Sequence, residues 1–287
     1  MSQFNRKWIM DNGIVVLNDY EQGTLTLRGL HYQLVAMGMT NDVRHYKKVV
    51  SAMIAARWNR DIPFDAFVDH DRETIGNTDH EETDVASSLN TAKSQIRLWA
   101  TSYHKNRWEN QPFYPEVFIE KKALQGVFEK PCRAWDVALN PCKGYPSITF
   151  LYDAYQRFRD TDKSPVILYF GDYDCSGEDI PRSIGESLYK MGISVEIRRI
   201  ALMEEQVLEW DLPPAPTKST DSRSRSWDGI GQVELDAVRP EKIRVLLGNA
   251  LNDLLEQDLY DDLMEQEDYE QDEFKAELKA DFATLLD

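Results

Sequence analysis

Between residues 117 and 201 the chain alternates short apolar runs with helix-length amphipathic segments, and this alternation restricts the fold more than any other feature. VFIE (117–120) precedes KKALQGVFEKPCRAW, VALNPCKGYPS precedes ITFLYDAYQRF, and VILYFGDYD (166–174) precedes SGEDIPRSIGESLYKMG and then SVEIRRIAL. Continuous apolar runs need cover on both faces, and helices between them supply crossovers. The pattern predicts a parallel sheet in an α/β domain over about 110–250. LPPAP (212–216) and the polar TKSTDSRSRSW interrupt this domain near its end. Ile243, Leu246, Leu247, Leu251, Leu254 and Leu255 predict a terminal helix that runs into the C-terminal segment.

The residues before the sheet read differently. Leu27, Leu30 and Leu34 recur at helical spacing after Thr26, a suitable N-cap, and Gly38 suits the helix end. A second helix is expected at about 42–60, with Asp42 as its cap and Val43, Tyr46, Val50, Met53, Ile54 and Trp58 on one face. Pro63 stops it, and IPFDAFVD alternates as a short strand would. Helix, turn, basic helix and strand fit a winged-helix domain whose second helix enters the DNA major groove. A solvated amphipathic helix fits the same pattern. Val85, Leu89, Ala92, Ile96, Trp99 and Tyr103 then predict a connecting helix. The expected domains are 1–105, 106–250 and an acidic helix or tail at 251–287.

Charge distribution matters more than its total. The 287 residues carry a net −17, of which −12 falls within 252–287, leaving −5 for the rest. Within 42–60, five bases (Arg44, Lys47, Lys48, Arg57 and Arg60) face one acid, so a DNA-binding surface is compatible with the acidic total. Three cysteines without C-x-x-C spacing indicate neither a disulfide framework nor a zinc ribbon. No stretch approaches the ~20 apolar residues of a membrane span, and the first residues lack the apolar core of a signal peptide. The expected location is cytoplasmic, or nucleoid-associated in a prokaryote, with no membrane partner. The clusters Asp69-His70-Asp71 and Asp79-His80-Glu81 lack helical ligand spacing and read as a solvated loop.

Sites in open parallel sheets form at the carboxyl ends of strands. Glu120 closes one predicted strand, and Asp172 and Asp174 close another. Three carboxylates from adjacent strand ends suit Mg²⁺, or Mn²⁺ in its place, and such an ion neutralises a phosphate. N-capping aspartates with a surface glutamate are the structural alternative. Glu234 and Asp236 read as part of a strand, with a role near the metal as the less favoured choice. VFIEKKAL followed by LYFGDYDCSGEDI resembles the Toprim domain of topoisomerases, primases and related nucleases, which pairs a strand-end Glu with D-x-D. PCKGYPS resembles the glycine-tyrosine-proline segment of type IIB topoisomerase A subunits.

Arg28 and Tyr32 are four residues apart, so they share a helix face. Tyr32 falls about 160° around the helix from Leu30, which turns the ring away from the apolar stripe and toward solvent. A phenol of pKa about 10 attacks phosphate only as its proton is lost, and a guanidinium one turn away favours the phenolate. TLRGLHYQLV resembles the catalytic-tyrosine helix of topoisomerase VI A subunits and their meiotic break-forming relatives. Gly29 and His31 depart from the acidic and aromatic residues usual there. The resemblance covers about 25–250 and is nearest to the Mini-A group of reduced, stand-alone A-subunit-like proteins.

That resemblance implies a DNA-cleaving transesterase in which Tyr32 is the nucleophile, assisted by Arg28 and Glu120. Glu120, Asp172 and Asp174 would hold Mg²⁺, and Arg44, Lys47, Lys48, Arg57 and Lys143 would contact double-stranded DNA. It further implies a homodimer in which Tyr32 of one chain meets the metal site of the other. The sequence contains no G-x-x-x-x-G-K-[ST] loop, so strand passage driven by ATP requires an ATPase partner in trans. Two alternatives stand beside this reading: a metal nuclease using water, and a DNA-binding or bridging protein without catalysis.

Overall fold

A computed structural model describes residues 4–20, 25–69, 84–214 and 231–285. The chain divides into two compact units, 1–72 with 113–254 and 73–112 with 255–287. The sheet and the N-terminal helices share the first unit. The second joins two segments far apart in sequence.

In the first unit four strands, β1 (Phe113–Ile119), β2 (Ala138–Pro141), β3 (Ser164–Phe170) and β4 (Glu196–Ala201), form a parallel sheet of order β2-β1-β3-β4. The fold is mixed α/β with a parallel sheet, as the alternation predicts. The last five residues of both β1 and β3 are buried, which is why those runs are apolar throughout rather than alternating. On one face Phe118, Ile167 and Tyr169 pack against α6 (Ile148–Arg159) and α7 (Cys175–Met191) through Leu151, Phe158, Ile180 and Leu188. Toward α5 (Gln125–Ala134), Phe170 meets Phe128 edge-on with centroids 4.9 Å apart. Each such buried side chain contributes about 1.5–3 kcal/mol. The chain leaves β1 for β2 on one side and returns to β3 on the other, so the order reverses between β1 and β3. Binding crevices open at the carboxyl side of such a reversal.

After β4, α8 (Glu204–Glu209) precedes a segment in which Val233 pairs antiparallel with Tyr173, followed by α9 (Pro240–Asn252). That bridge holds 233–238 beside the end of β3.

The N-terminal part of this unit contains α1 (Arg6–Asn18), α2 (Leu27–Ala36) and α3 (Val43–Trp58). Side chains of Asn5, Thr26 and Asp42 accept from the backbone N–H groups of Trp8, Gly29 and His45 at the three helix starts. Gly38, at φ 99°, ends α2 as expected. The inward face of α3 differs from the expected one: Val49, Ala52, Met53 and Ala56 are buried, while Val43 and Trp58 are 69% and 72% exposed. Small residues face inward because α1 comes close. A Cβ added at Gly13 would lie 3.0 Å from Met53 Cε. IPFDAFVD forms turns rather than a strand, its Val68 N–H reaching back to the Leu25 carbonyl at 3.0 Å. The described residues therefore show a three-helix cluster without wing strands. The expected loop cluster at 79–81, His70 and Asp71 of the earlier cluster, and the bases Lys218, Arg223 and Arg225 lie outside the described residues.

The second unit pairs α4 (Val85–Ala100) with α10 (Gln257–Leu285). The terminal helix expected as one is two, since α9 ends at Asn252 and α10 begins at Gln257. The acidic tail is thus an ordered helix. Glu267 accepts from the Lys105 backbone N–H at 2.7 Å, Tyr260 from Arg107 at 3.0 Å, and Glu270 pairs with the Lys105 ammonium at 3.1 Å. No helix among the described residues is long and apolar enough to cross a membrane.

Candidate functional site

Ile119 and Phe170 are register partners at the ends of β1 and β3, and the residues that follow them build the site. Glu120 donates its backbone N–H to the Phe170 carbonyl at 2.9 Å, which fixes the turn out of the sheet. Its carboxylate is buried and accepts the Asp172 backbone N–H at 2.9 Å. Asp172 accepts the Leu235 N–H at 2.8 Å through Oδ1. Gly177 must be glycine, because a Cβ there would lie 2.2 Å from the Asp172 carbonyl oxygen. This close approach lets the first turn of α7 pack on the end of β3. Arg199 locks the same corner, donating to the carbonyls of Asp172, Gly177 and Leu202.

At the centre sits Lys121, which sequence reasoning passed over. Its ammonium pairs with Asp172 at 3.0 Å, Asp236 at 2.8 Å and Glu234 at 2.5 Å. Glu234 and Asp236, set aside earlier as strand residues, are thus part of the site. Burial opposes the charge on Lys121, but the three carboxylates outweigh it and hold its pKa well above the usual lysine range. Burial pushes Asp172 up to about 7 despite the ammonium, with Glu120, Glu234 and Asp236 adding to the rise. Glu120 is also raised, by burial and by the charge of Asp174. Glu234 is lowered: burial would raise it, but Lys121, Tyr32 and Arg28 prevail.

Tyr32 enters this cluster from α2. It is 5% exposed rather than turned to solvent, because Gly29 through Val35 of α2 are all buried and the helix has no solvent face there. Gln33 on the same helix donates to the Asp236 carbonyl at 3.2 Å, anchoring α2 to the 233–238 segment. The Tyr32 hydroxyl receives an N–H of Arg28 at 3.3 Å, with the Glu234 carboxylate nearby. The Lys121 ammonium lies 5.7 Å from the ring centroid. Burial and the Glu234 charge raise the phenol's pKa, while Arg28 and Lys121 pull it down. Arg28 also pairs with Glu234 at 3.7 Å. The neighbouring His31 is 3% exposed, with Nε2 at 3.3 Å from Asn41 and Nδ1 without a partner, and burial lowers its pKa.

The structure therefore gathers Tyr32, Arg28, Glu120 and Asp172. It turns Asp174 to another task, since Asp174 N-caps α7 by accepting the Gly177 N–H at 2.7 Å. All-carboxylate donors suit Mg²⁺ chemically, and Asp236 Oδ1 is buried without a partner among the described residues. In arrangement, however, no three Asp, Glu, His or Cys side chains among the described residues are placed to hold a metal ion. The Lys121 ammonium is the cation among Asp172, Glu234 and Asp236.

The expected DNA contacts fall at three places. Arg44, Lys47 and Lys48 lie together on one flank of α3. Arg57 is elsewhere on that helix, over the Phe67 ring at 5.5 Å. Lys143 is exposed at φ 55° in the loop after β2, where the next residue, Gly144, donates to the Glu120 carbonyl at 3.0 Å. In the same loop Tyr145 donates to Asp179 at 2.6 Å.

No protein-family model, curated protein or solved structure matches this chain.

Proposed function

We propose that the chain binds double-stranded DNA and breaks its backbone by transesterification from Tyr32, in the manner of a type IIB topoisomerase A subunit. The observation that carries this reading is the meeting of the Tyr32 hydroxyl, Arg28, Lys121 and the strand-end carboxylates at the point where the sheet order reverses. In the proposed step the Tyr32 oxygen attacks phosphorus. A phosphotyrosyl bond forms as the bond to the departing sugar oxygen breaks. The phenolic proton passes to Glu234, whose charge already acts on the Tyr32 phenol, and the leaving oxygen takes a proton from solvent. Arg28 and Lys121 supply positive charge to the phosphate oxygens.

Mg²⁺ or Mn²⁺ belongs to this reading as a ligand of Glu120, Asp172 and Asp174, for which Asp174 must leave its cap; the ion would neutralise phosphate charge. A winged-helix and a Toprim assignment belong to it too, with α3 contacting DNA. A homodimer that exchanges Tyr32 between copies requires the tyrosine to leave Glu234 of its own chain. An ATPase partner would be needed for strand passage.

The test is cleavage of supercoiled plasmid with Mg²⁺ or Mn²⁺, with a denaturing trap for covalently attached protein. The expected result is an adduct from the wild type and none from Tyr32→Phe. Cutting by Tyr32→Phe would replace tyrosine with water as nucleophile. The burial of Tyr32 and its raised pKa favour one further reading, DNA binding without cutting. Duplex binding with no cleavage under any divalent ion would establish it.

A further inference from the structure

Outside the tyrosine cluster, four cations line one concavity. A groove of about 480 Å³ lies between the start of α1 and the outer flank of α3, lined by Arg6, Arg44, Lys47, Lys48, Asn5 and Ser51. Phe4, Ile9 and Ala52 also line it. Residues 44, 47, 48 and 51 follow the spacing of one helix face, so the sequence itself gathers these side chains. None of the four cations forms an ion pair among the described residues, although the chain carries a net −17. The acids nearest in sequence are already engaged: Asp42 with His45 at 2.9 Å, and Asp11 with Lys7 at 2.8 Å. Among the described residues no carboxylate lines the groove.

We infer that this groove grips the sugar–phosphate backbone of duplex DNA and reads no base sequence. The inference rests on the DNA-binding part of the reading above and replaces the expectation that α3 enters the major groove. A single helix with its side chains is about 10–12 Å across, and the major groove is about 12 Å wide. With the start of α1 alongside, this flank of α3 is too broad to enter. Its chemistry points the same way. VRHYKKVVSAMIAARW contains no Asn or Gln to pair bidentately with adenine. The Oδ1 of Asn5, the groove's one amide side chain, is taken up as the cap of the Trp8 N–H. Phosphate oxygens need only positive charge and simple donors, which Arg6, Arg44, Lys47, Lys48 and Ser51 supply.

The experiment is fluorescence anisotropy of the full chain with two labelled duplexes of unrelated sequence, from 50 to 200 mM salt. Wild type is compared with Arg44→Gln/Lys47→Gln/Lys48→Gln and with Lys47→Arg/Lys48→Arg. Each lost phosphate contact lowers the slope of log K against log salt by about 0.9, so the triple variant should lose up to about 2.7 and weaken equally on both duplexes. The arginine variant should keep the wild-type slope. Melting temperatures of all three show that the variants are folded. If wild type binds and the triple variant binds alike, the groove is not the site, while the DNA reading stands. If the loss differs between duplexes, α3 reads bases. If wild type binds neither duplex, the DNA reading falls and the groove assignment with it.

Discussion

Two charged clusters in the same compact unit handle their charge in opposite ways. At the strand ends, Lys121 holds three carboxylates, and none of Asp172, Glu234 or Asp236 has a side chain more than 10% exposed. Along α3, Arg44 and Lys47 are exposed and have no carboxylate partner among the described residues. The first arrangement takes charge out of water, where removal of one partner leaves the others uncompensated. The second leaves each charge solvated, so its removal costs the fold little and its effect is felt by an incoming anion. The same residue type is therefore buried and paired in one place and solvated in the other.

The largest expected effect comes from Lys121→Met, which keeps the volume and removes the charge. Chemical denaturation should show a loss of about 3–5 kcal/mol, the cost of breaking a buried pair. A loss below 1 kcal/mol would mean that the carboxylates are well solvated without it. The next is pH dependence. Asp172 has a folded-state pKa raised to about 7, so the folded state binds its proton more tightly than the unfolded chain. Its stabilising contribution is full below the unfolded value and is lost as pH rises through about 7. Between pH 5 and 8 the wild type should lose on the order of 1–3 kcal/mol that Asp172→Asn does not lose. Glu234, lowered instead, acts in the opposite sense, and its effect falls at more acid pH. Gly177→Ala should cost about 1–3 kcal/mol, since the new methyl meets the Asp172 carbonyl and the helix must shift. An unchanged melting temperature would show that α7 yields without strain.

The sheet was legible because burial on both faces leaves a sequence trace. The run VFIE (117–120) falls on the last three residues of β1, and VILYF (166–170) covers all but the first two of β3. Caps at Thr26 and Asp42 were legible because capping is local chemistry. The inward face of α3 was not, because bulk was the guide and the packing favoured Ala52 and Ala56, where α1 approaches closely. Tyr32 was placed in solvent by angle from one apolar stripe, whereas α2 is covered on several sides at once. Lys121 carried no signal beyond adjacency to Glu120. Its partner Asp236 lies 115 residues away, brought in by the bridge between Tyr173 and Val233 and by the Leu235 N–H on Asp172. Asp174 showed the D-x-D spacing correctly, but a helix begins immediately after it and takes its carboxylate as a cap.

Tyr32→Phe sits between the two clusters in expected effect. It removes the hydroxyl that accepts from Arg28 but leaves Glu234 paired with Lys121 and Arg28. The stability change should stay within about 1 kcal/mol, so loss of any covalent DNA adduct in this variant would report chemistry rather than unfolding.

The smallest change is expected for Lys47→Gln. Lys47 is exposed and forms no ion pair among the described residues, and glutamine has nearly the helix propensity of lysine. Its denaturation midpoint should move by no more than the equivalent of about 0.5 kcal/mol. Set against Lys121→Met, this gives a direct measure of what burial does to a lysine within one fold. A loss near 2 kcal/mol at Lys47 would show that the groove cations brace α1 against α3. The groove would then be a structural joint, and its contribution to DNA affinity could be read only after that loss is subtracted.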